Sequence, residues 1–159
     1  MLSDSMINLV GAIWRYIPGA IRRRVVRLGQ NRFTVTTGAM IFDDEGRILL
    51  LEHVFRPDSG WGIPGGFLNR NEQPDEGVRR ELREEIGIEV DDVRLLFVRA
   101  LKRPGQVEIY FRARAIGVPE PRSFEIKQAQ WFATDELPEE LSRDQTRLIH
   151  RVTAADEKS

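Results

Sequence analysis

The chain has 159 residues, of which 41% are hydrophobic and 31% charged, as is ordinary for one globular domain with short extensions. It contains no cysteine, which excludes disulfides and thiolate zinc sites and leads us to expect a reducing, cytoplasmic location. The net charge is −1, but residues 1–42 contain six arginines and one aspartate (+5), which leaves −6 for the remainder. An acidic body argues against a nucleic-acid partner.

Residues 1–30 form a basic N-terminal extension. Residues 7–17 are largely apolar, and residues 21–28 (IRRRVVRL) are basic and amphipathic. The apolar run is much shorter than the roughly 20 residues that cross a bilayer, and no cleavage pattern of a secretory signal follows it. Three roles are open: packing on the main domain, homodimerisation, or contact with an anionic membrane surface. We favour the first two, so a peripheral membrane location is a minor alternative.

Residues 31–152 are predicted to form the main domain, and residues 153–159 a flexible tail. Alternating apolar residues, turn residues and two amphipathic segments favour strands interspersed with two helices. This order predicts an α/β/α sandwich. The helices are predicted at residues 74–86 and about 139–152. The strands are predicted at residues 33–42, 48–52, 61–67, 93–101, 107–115 and 126–132.

The first of these helices carries clear end signals. Pro74 suits a first helical position, where its missing N–H costs nothing. Asp75 and Glu76 place negative charge in the first turn, which the helix dipole favours. Gly87 can adopt the left-handed conformation that ends a helix.

Three glutamates of this helix share one face, because Glu81, Glu84 and Glu85 fall at i, i+3 and i+4. Their like charges repel, and Arg80, which can reach Glu84, cannot neutralise all of them. Mg²⁺ or Mn²⁺ could do so, since both prefer oxygen ligands and Mg²⁺ commonly joins carboxylates to phosphates. The alternative is a solvated acidic face whose ion pairs contribute roughly 0–1 kcal/mol each.

The segment Gly66–Ile88 reads GFLNRNEQPDEGVRRELREEIGI. It matches the Nudix box, G-x5-E-x7-R-E-U-x-E-E-x-G-U with U aliphatic, at every specified position. The chain therefore resembles the Nudix hydrolases, over roughly residues 32–151. The resemblance implies a mixed β-sheet between helices. It also implies a divalent-metal-dependent pyrophosphohydrolase, in which water attacks phosphorus in a nucleoside diphosphate linked to another moiety, or in a nucleoside triphosphate.

The resemblance assigns catalytic roles within the box. Glu84 and Glu85 would be metal ligands, and Glu81 would be a third ligand or the base that takes a proton from water. Arg80 would orient the glutamates, and Glu72 would support them as a neighbouring carboxylate. Such a site mainly positions water, metal and phosphates.

Residues outside the box helix would complete the site. Gly65, which precedes the box glycine Gly66, would offer its carbonyl oxygen to the metal. A further catalytic and metal-binding glutamate is expected, and Glu125, in the loop before the last strand, is favoured over Glu108. The alternative for Glu108 is an ordinary carboxylate on the polar side of its strand.

The resemblance implies that the substrate is a small nucleoside diphosphate-type molecule, and the sequence does not identify its second moiety. Two other functions remain open: a non-catalytic nucleotide-binding module of the same fold, and a membrane-associated lipid diphosphate hydrolase. The absence of cysteine excludes a conventional isopentenyl diphosphate isomerase. Residues that could hold phosphates include Arg32, Arg56 and Lys102. Aromatic residues that could stack on a base include Phe33, Phe55 and Phe67, although aromatic residues in strands more often belong to the core.

Overall fold

The computed structural model describes residue 6 and residues 12–55, 60–102 and 105–156. The chain divides into two compact units, Met1–Arg32 and Phe33–Ser159. In the first unit, residues 12–16 are helical and helix α1 spans Gly19–Leu28. No described side chain of residues 12–32 is buried. Among the helices of the described residues, none is long and apolar enough to span a membrane.

Deleting residues 1–28 is expected to lower the midpoint of thermal unfolding by no more than about 4 °C, which corresponds to about 1 kcal/mol for a domain of this size. The reason is that the buried hydrophobic residues of the described chain all lie between Ala39 and Val152. Differential scanning calorimetry of the full and shortened chains would measure the shift. A larger decrease would show that the extension stabilises the domain, through packing or through dimer contacts.

The second unit is an α/β/α sandwich. Its elements are β1 Thr34–Ile41, β2 Ile48–His53, β3 Trp61–Gly62, β4 Gly65–Phe67, α2 Pro74–Ile86, β5 Glu89–Leu101, β6 Gln106–Ile116, β7 Ile126–Phe132 and α3 Arg143–Asp156. The β layer consists of a four-stranded mixed sheet, in the order β4-β1-β6-β5, and a three-stranded antiparallel sheet, in the order β3-β2-β7.

Two hydrophobic cores hold the helices on the β layer. Successive side chains of a strand point to opposite faces, and β1 contributes to both cores in this way. Ala39 and Ile41 belong to the core that contains Leu82 of α2. Met40 belongs to the core that contains Ile149 of α3. The box helix and the C-terminal helix therefore cover opposite faces.

The predicted strand at residues 61–67 is divided between the two sheets. Pro64 has no N–H to donate to a sheet, and its carbonyl oxygen accepts the N–H of Ala39 at 3.0 Å. Gly65 has a φ of +144°, and a Cβ there would lie 2.1 Å from the carbonyl oxygen of Thr37. The chain therefore leaves the small sheet and enters the edge of the large one at a position that requires glycine.

The prediction for helix α2 is confirmed at both ends. Gln73 and Glu76 form a capping box at its start. Gly87 ends it with a φ of +69° in the left-handed region. The buried face of the helix consists of Gly77, Val78, Leu82 and Ile86.

The C-terminal helix α3 begins later and ends later than predicted. A turn in which the Leu141 N–H donates to the Pro138 carbonyl comes first, and the Ser142 hydroxyl accepts the N–H of Gln145 at 3.3 Å. A serine whose hydroxyl accepts a backbone N–H of the first turn favours the start of a helix. The helix therefore begins at Arg143. Of the predicted tail, residues 153–156 are helical, and residues 157–159 lie outside the described chain.

Candidate active site

Arg80 is the centre of the polar network on the box helix. Its guanidinium donates to both oxygens of Glu72, at 2.7 and 3.1 Å, and to the carbonyl of Phe67 at 3.1 Å. The backbone N–H of Asn69 also donates to Glu72, at 2.8 Å. The bonds from Arg80, with that N–H, lower the pKa of Glu72. Paired hydrogen bonds between a carboxylate and a guanidinium fix the relative orientation of the two groups as well as pairing their charges. Arg80 therefore links the helix to the loop after β4.

The same guanidinium holds two of the three predicted box glutamates. Its Nη1 donates to Glu81 at 2.9 Å and to Glu84 at 3.2 Å. Burial raises the pKa of Glu81, and Arg80 opposes this shift. A general base works best when its pKa is close to the working pH, so this environment suits Glu81 as a proton acceptor.

Gly66 allows the carboxylate of Glu81 to lie against the backbone of β4. A Cβ at residue 66 would lie 2.5 Å from both Cδ and Oε1 of Glu81. Any side chain there would therefore displace the carboxylate. The φ of Gly66 is not among the positive values, so its backbone conformation does not require glycine. The close approach of Glu81 is what requires it.

One cleft of about 440 Å³ is lined by three of the predicted glutamates, Glu81, Glu85 and Glu125. Gly65 and Gly66 form part of its wall. The other lining residues are His53, Phe55, Phe67, Asn69 and Arg80.

Backbone hydrogen bonds hold the loop that carries Glu125 beside this cleft. The N–H groups of Arg122 and Ser123 donate to the carbonyl of Glu85 at 2.8 and 3.3 Å. The N–H of Val54, just after β2, donates to the carbonyl of Glu125 at 2.8 Å. The loop between β6 and β7 is thus bonded both to the end of the box helix and to the neighbouring strand.

Glu108 lies at a different place from Glu125. Arg99 donates to Glu108 and, at 3.0 and 2.6 Å, to both oxygens of Asp144 on α3. Glu108 lines a second cleft of about 310 Å³, with Gln106 and Tyr110. Among the described residues, the two clefts have the wall Gly65–Phe67 in common and no other lining residue.

Of the other predicted residues that the structure describes, Phe55 and Phe67 line this cleft, whereas Glu84, Phe33 and Lys102 do not. Glu84 is exposed and is held by Arg80. Phe33 and Lys102 are exposed and line neither cleft. Arg32 belongs to the N-terminal unit, and Arg56 lies outside the described residues. Their predicted roles in substrate binding remain predictions.

His53 and Asn69 line the cleft although no sequence pattern marked them. His53 ends β2, and its partner across the sheet is Ile126, the neighbour of Glu125. The pairing of β2 with β7 places His53 beside the loop that carries Glu125. In the sequence, the feature that could have indicated a functional role for His53 is its position at the end of a strongly apolar strand.

The donors in the cleft fit a hard divalent cation, because carboxylate and backbone carbonyl oxygens are the ligands that Mg²⁺ and Mn²⁺ prefer. Among the side chains of residues 12–55, 60–102 and 105–156, no three Asp, Glu or His groups already stand in a metal-holding arrangement. Arg80 holds oxygens of Glu81 and Glu84. An ionised carboxylate has about four acceptor sites, so this pairing leaves capacity for a cation.

The fold, the box helix and the acidic cleft correspond to one family of hydrolases. The family model described as NUDIX domain matches residues 32–152. The chain belongs to the Nudix hydrolase family.

Individual relatives agree with this assignment. The chain is 34% identical over 110 residues to a MutT-like protein of Streptomyces ambofaciens, and this alignment covers 69% of this chain and 70% of that protein. It is 30% identical over 112 residues to an RNA pyrophosphohydrolase of Teredinibacter turnerae, and this alignment covers 70% of this chain and 62% of that protein. The crystal structure of a MutT NUDIX hydrolase from Burkholderia pseudomallei matches with a TM-score of 0.69 and 31% identity, over 77% of this chain and 99% of that one.

Proposed function

We propose that the chain is a pyrophosphohydrolase that depends on Mg²⁺ or Mn²⁺ and cleaves a phosphoanhydride bond in a small nucleoside diphosphate derivative or a nucleoside triphosphate. The main support is the convergence of Glu81, Glu85 and Glu125 on one cleft beside the glycine pair. Membership of the Nudix hydrolase family supports the same reaction class.

In this proposal the residues of the site have separate roles in catalysis, metal binding and positioning. Water attacks phosphorus, the bridging P–O bond breaks, and Glu81 accepts the proton of the attacking water. Glu84, Glu85, Glu125 and the carbonyl of Gly65 are proposed to hold the cation. When bound, a divalent cation neutralises phosphate charge and lowers the pKa of its water. Arg80 does not contact the phosphates in this proposal; it positions Glu81 and Glu84.

A panel assay would test the reaction and the substrate class together. It should include nucleoside triphosphates and their oxidised forms, ADP-ribose, nucleotide sugars, CDP-alcohols, dinucleoside polyphosphates, prenyl diphosphates and a 5′-triphosphorylated RNA, each with Mg²⁺ and with Mn²⁺. The last compound reflects the similarity to an RNA pyrophosphohydrolase. Release of a nucleoside monophosphate or pyrophosphate from one compound supports the proposal. Tight binding without turnover would instead support a non-catalytic module.

Glu125→Gln is expected to raise the Mg²⁺ concentration needed for half-maximal turnover by roughly 10- to 100-fold, the loss typical when a group that supports a metal is removed. Glu108→Gln is the matched variant, because Glu108 pairs with Arg99 and lines the other cleft. It is expected to leave the Mg²⁺ requirement unchanged. Titration of turnover against Mg²⁺ would compare them, and the reverse order would assign the metal role to Glu108.

A further inference from the structure

Helix α1 presents an exposed apolar stripe between arginines. Ile21, Val25 and Leu28 fall at i, i+4 and i+7, so they share one side of a helix that has 3.6 residues per turn. Their side chains are exposed, at 53%, 49% and 76% of the residue surface. The same geometry places Arg22 and Arg24 on the two flanks of this side. We call Ile21, Val25 and Leu28 the α1 stripe.

The groups around the start of α1 add aromatic rings and concentrated positive charge. Trp14 and Tyr16 are exposed in the helical residues that precede α1. Trp14 lines a groove of about 420 Å³ together with Arg22 and Arg23. The guanidiniums of both arginines come within 4.0 Å of the position that a Cβ on Gly19 would take. Two like charges therefore lie close to each other in the groove that contains the indole ring.

The positive charge of residues 12–32 has no acidic counterpart in the segment. These residues include six arginines and neither aspartate nor glutamate. In the part of the chain that the structure describes, no ion pair involves an arginine of this segment. None of its described side chains is buried. The α1 stripe and the guanidiniums beside it are therefore accessible to a partner.

A lipid surface with anionic headgroups matches both the charge and the α1 stripe. The phosphates of a nucleic acid would pair with the arginines but would leave the aliphatic side chains in water. A second copy of α1 would cover the stripe, but it would bring the arginines of two helices together, and like charges oppose this. At a bilayer, the aliphatic side chains enter the boundary between headgroups and acyl chains while the arginines reach the phosphates.

We propose that residues 12–28 bind the surface of membranes that contain anionic phospholipids, with α1 parallel to the bilayer and the α1 stripe turned toward the acyl chains. Trp14 and Tyr16 suit this depth, because one end of each ring system is apolar and the other is polar. The accessible stripe favours this role over the two others that the sequence left open. The inference is independent of the proposed reaction, since none of these residues lines the carboxylate cleft. The lipid is a docking surface and not the substrate.

Flotation of the full chain with two kinds of vesicle tests the charge requirement. Binding is expected with phosphatidylcholine mixed with phosphatidylglycerol, is weak with phosphatidylcholine alone, and decreases as salt is added. Arg22→Gln/Arg24→Gln is expected to weaken binding to the mixed vesicles roughly 10- to 50-fold, because each arginine near an anionic surface contributes a factor of about five. Arg143→Gln/Arg147→Gln removes two exposed arginines of α3 and is the matched control, which keeps parental binding.

Tryptophan fluorescence tests the orientation of the segment. On mixed vesicles whose acyl chains are brominated, the emission of Trp14 is expected to be quenched, and Trp14→Phe loses this quenching. Ile21→Gln/Leu28→Gln is expected to weaken binding roughly 10- to 100-fold, the loss typical when two aliphatic side chains are no longer buried. Glutamine is a good helix former, so α1 is retained. Leu95→Gln/Val98→Gln changes two exposed apolar residues of β5 and keeps parental binding.

Several results would overturn the inference. These are failure of the full chain to float with mixed vesicles, equal binding to both kinds of vesicle, or equal weakening by the α1 and α3 variants. Parental binding by Ile21→Gln/Leu28→Gln would remove the stripe from the contact and contradict the proposed orientation. If vesicles are not bound, loss of single-stranded RNA binding in the α1 variants would assign the surface to nucleic acid, and loss of a dimer in sedimentation equilibrium would assign it to a second copy. Turnover in the substrate panel bears on the proposed reaction alone.

Discussion

Glu85→Gln is expected to reduce kcat roughly a thousandfold or more, at the upper end of what removal of one electrostatic stabiliser costs. The reason is that glutamine keeps the shape of the side chain but removes the charge that we propose to hold the cation. The fold should survive, because the variant keeps the Glu85 carbonyl, which accepts the N–H groups of Arg122 and Ser123 in the loop before β7. Initial rates with saturating Mg²⁺, together with thermal unfolding, would measure both effects.

Glu140→Gln is a suitable control for the loss of one negative charge. Glu140 is exposed in the turn before α3 and lines neither cleft. It is expected to keep the parental rate. Full activity of Glu85→Gln would refute the role of this carboxylate, and loss of the thermal transition would show that its main contribution is structural.

Gly66→Ala is expected to lose activity, whereas Gly65→Ala is expected to lose stability. At residue 66 the added Cβ meets the carboxylate of Glu81, which is the far end of a flexible side chain and can move. Turnover should therefore fall roughly a hundredfold, the cost of displacing a catalytic group by about an ångström, with little change in stability. At residue 65 the Cβ meets the backbone at Thr37, and the φ of +144° is unfavourable for alanine. That variant should lose stability, by about 1–3 kcal/mol or more.

Chemical denaturation and steady-state kinetics of the two variants would separate these effects. Gly29→Ala is the control, since its φ is −90° and an added Cβ would meet nothing closer than 3.8 Å. Equal stability losses in both variants, or unchanged turnover in Gly66→Ala, would contradict the close packing of Glu81 on β4.

The box helix and its acidic face could be predicted from the sequence because their determinants are local. Pro74 and Gly87 mark the ends of the helix, and the spacing of Glu81, Glu84 and Glu85 follows from helical geometry alone. The sandwich class could be predicted too, since it depends on the order of apolar segments. The division of residues 61–67 between two sheets was missed, because strand partners are chosen by the rest of the fold.

The sequence by itself determined which acidic residues a helix would gather, and the family to which the chain belongs. The tertiary structure decided what surrounds them. The pairing of β2 with β7 places His53 and Glu125 at the cleft, while Arg99 holds Glu108 at another one. The contact of Phe55 with Phe124 joins residues 69 positions apart. The physical reason is that helical periodicity acts over a few residues, whereas a cleft is assembled by strand pairing and loop contacts between distant parts of the chain.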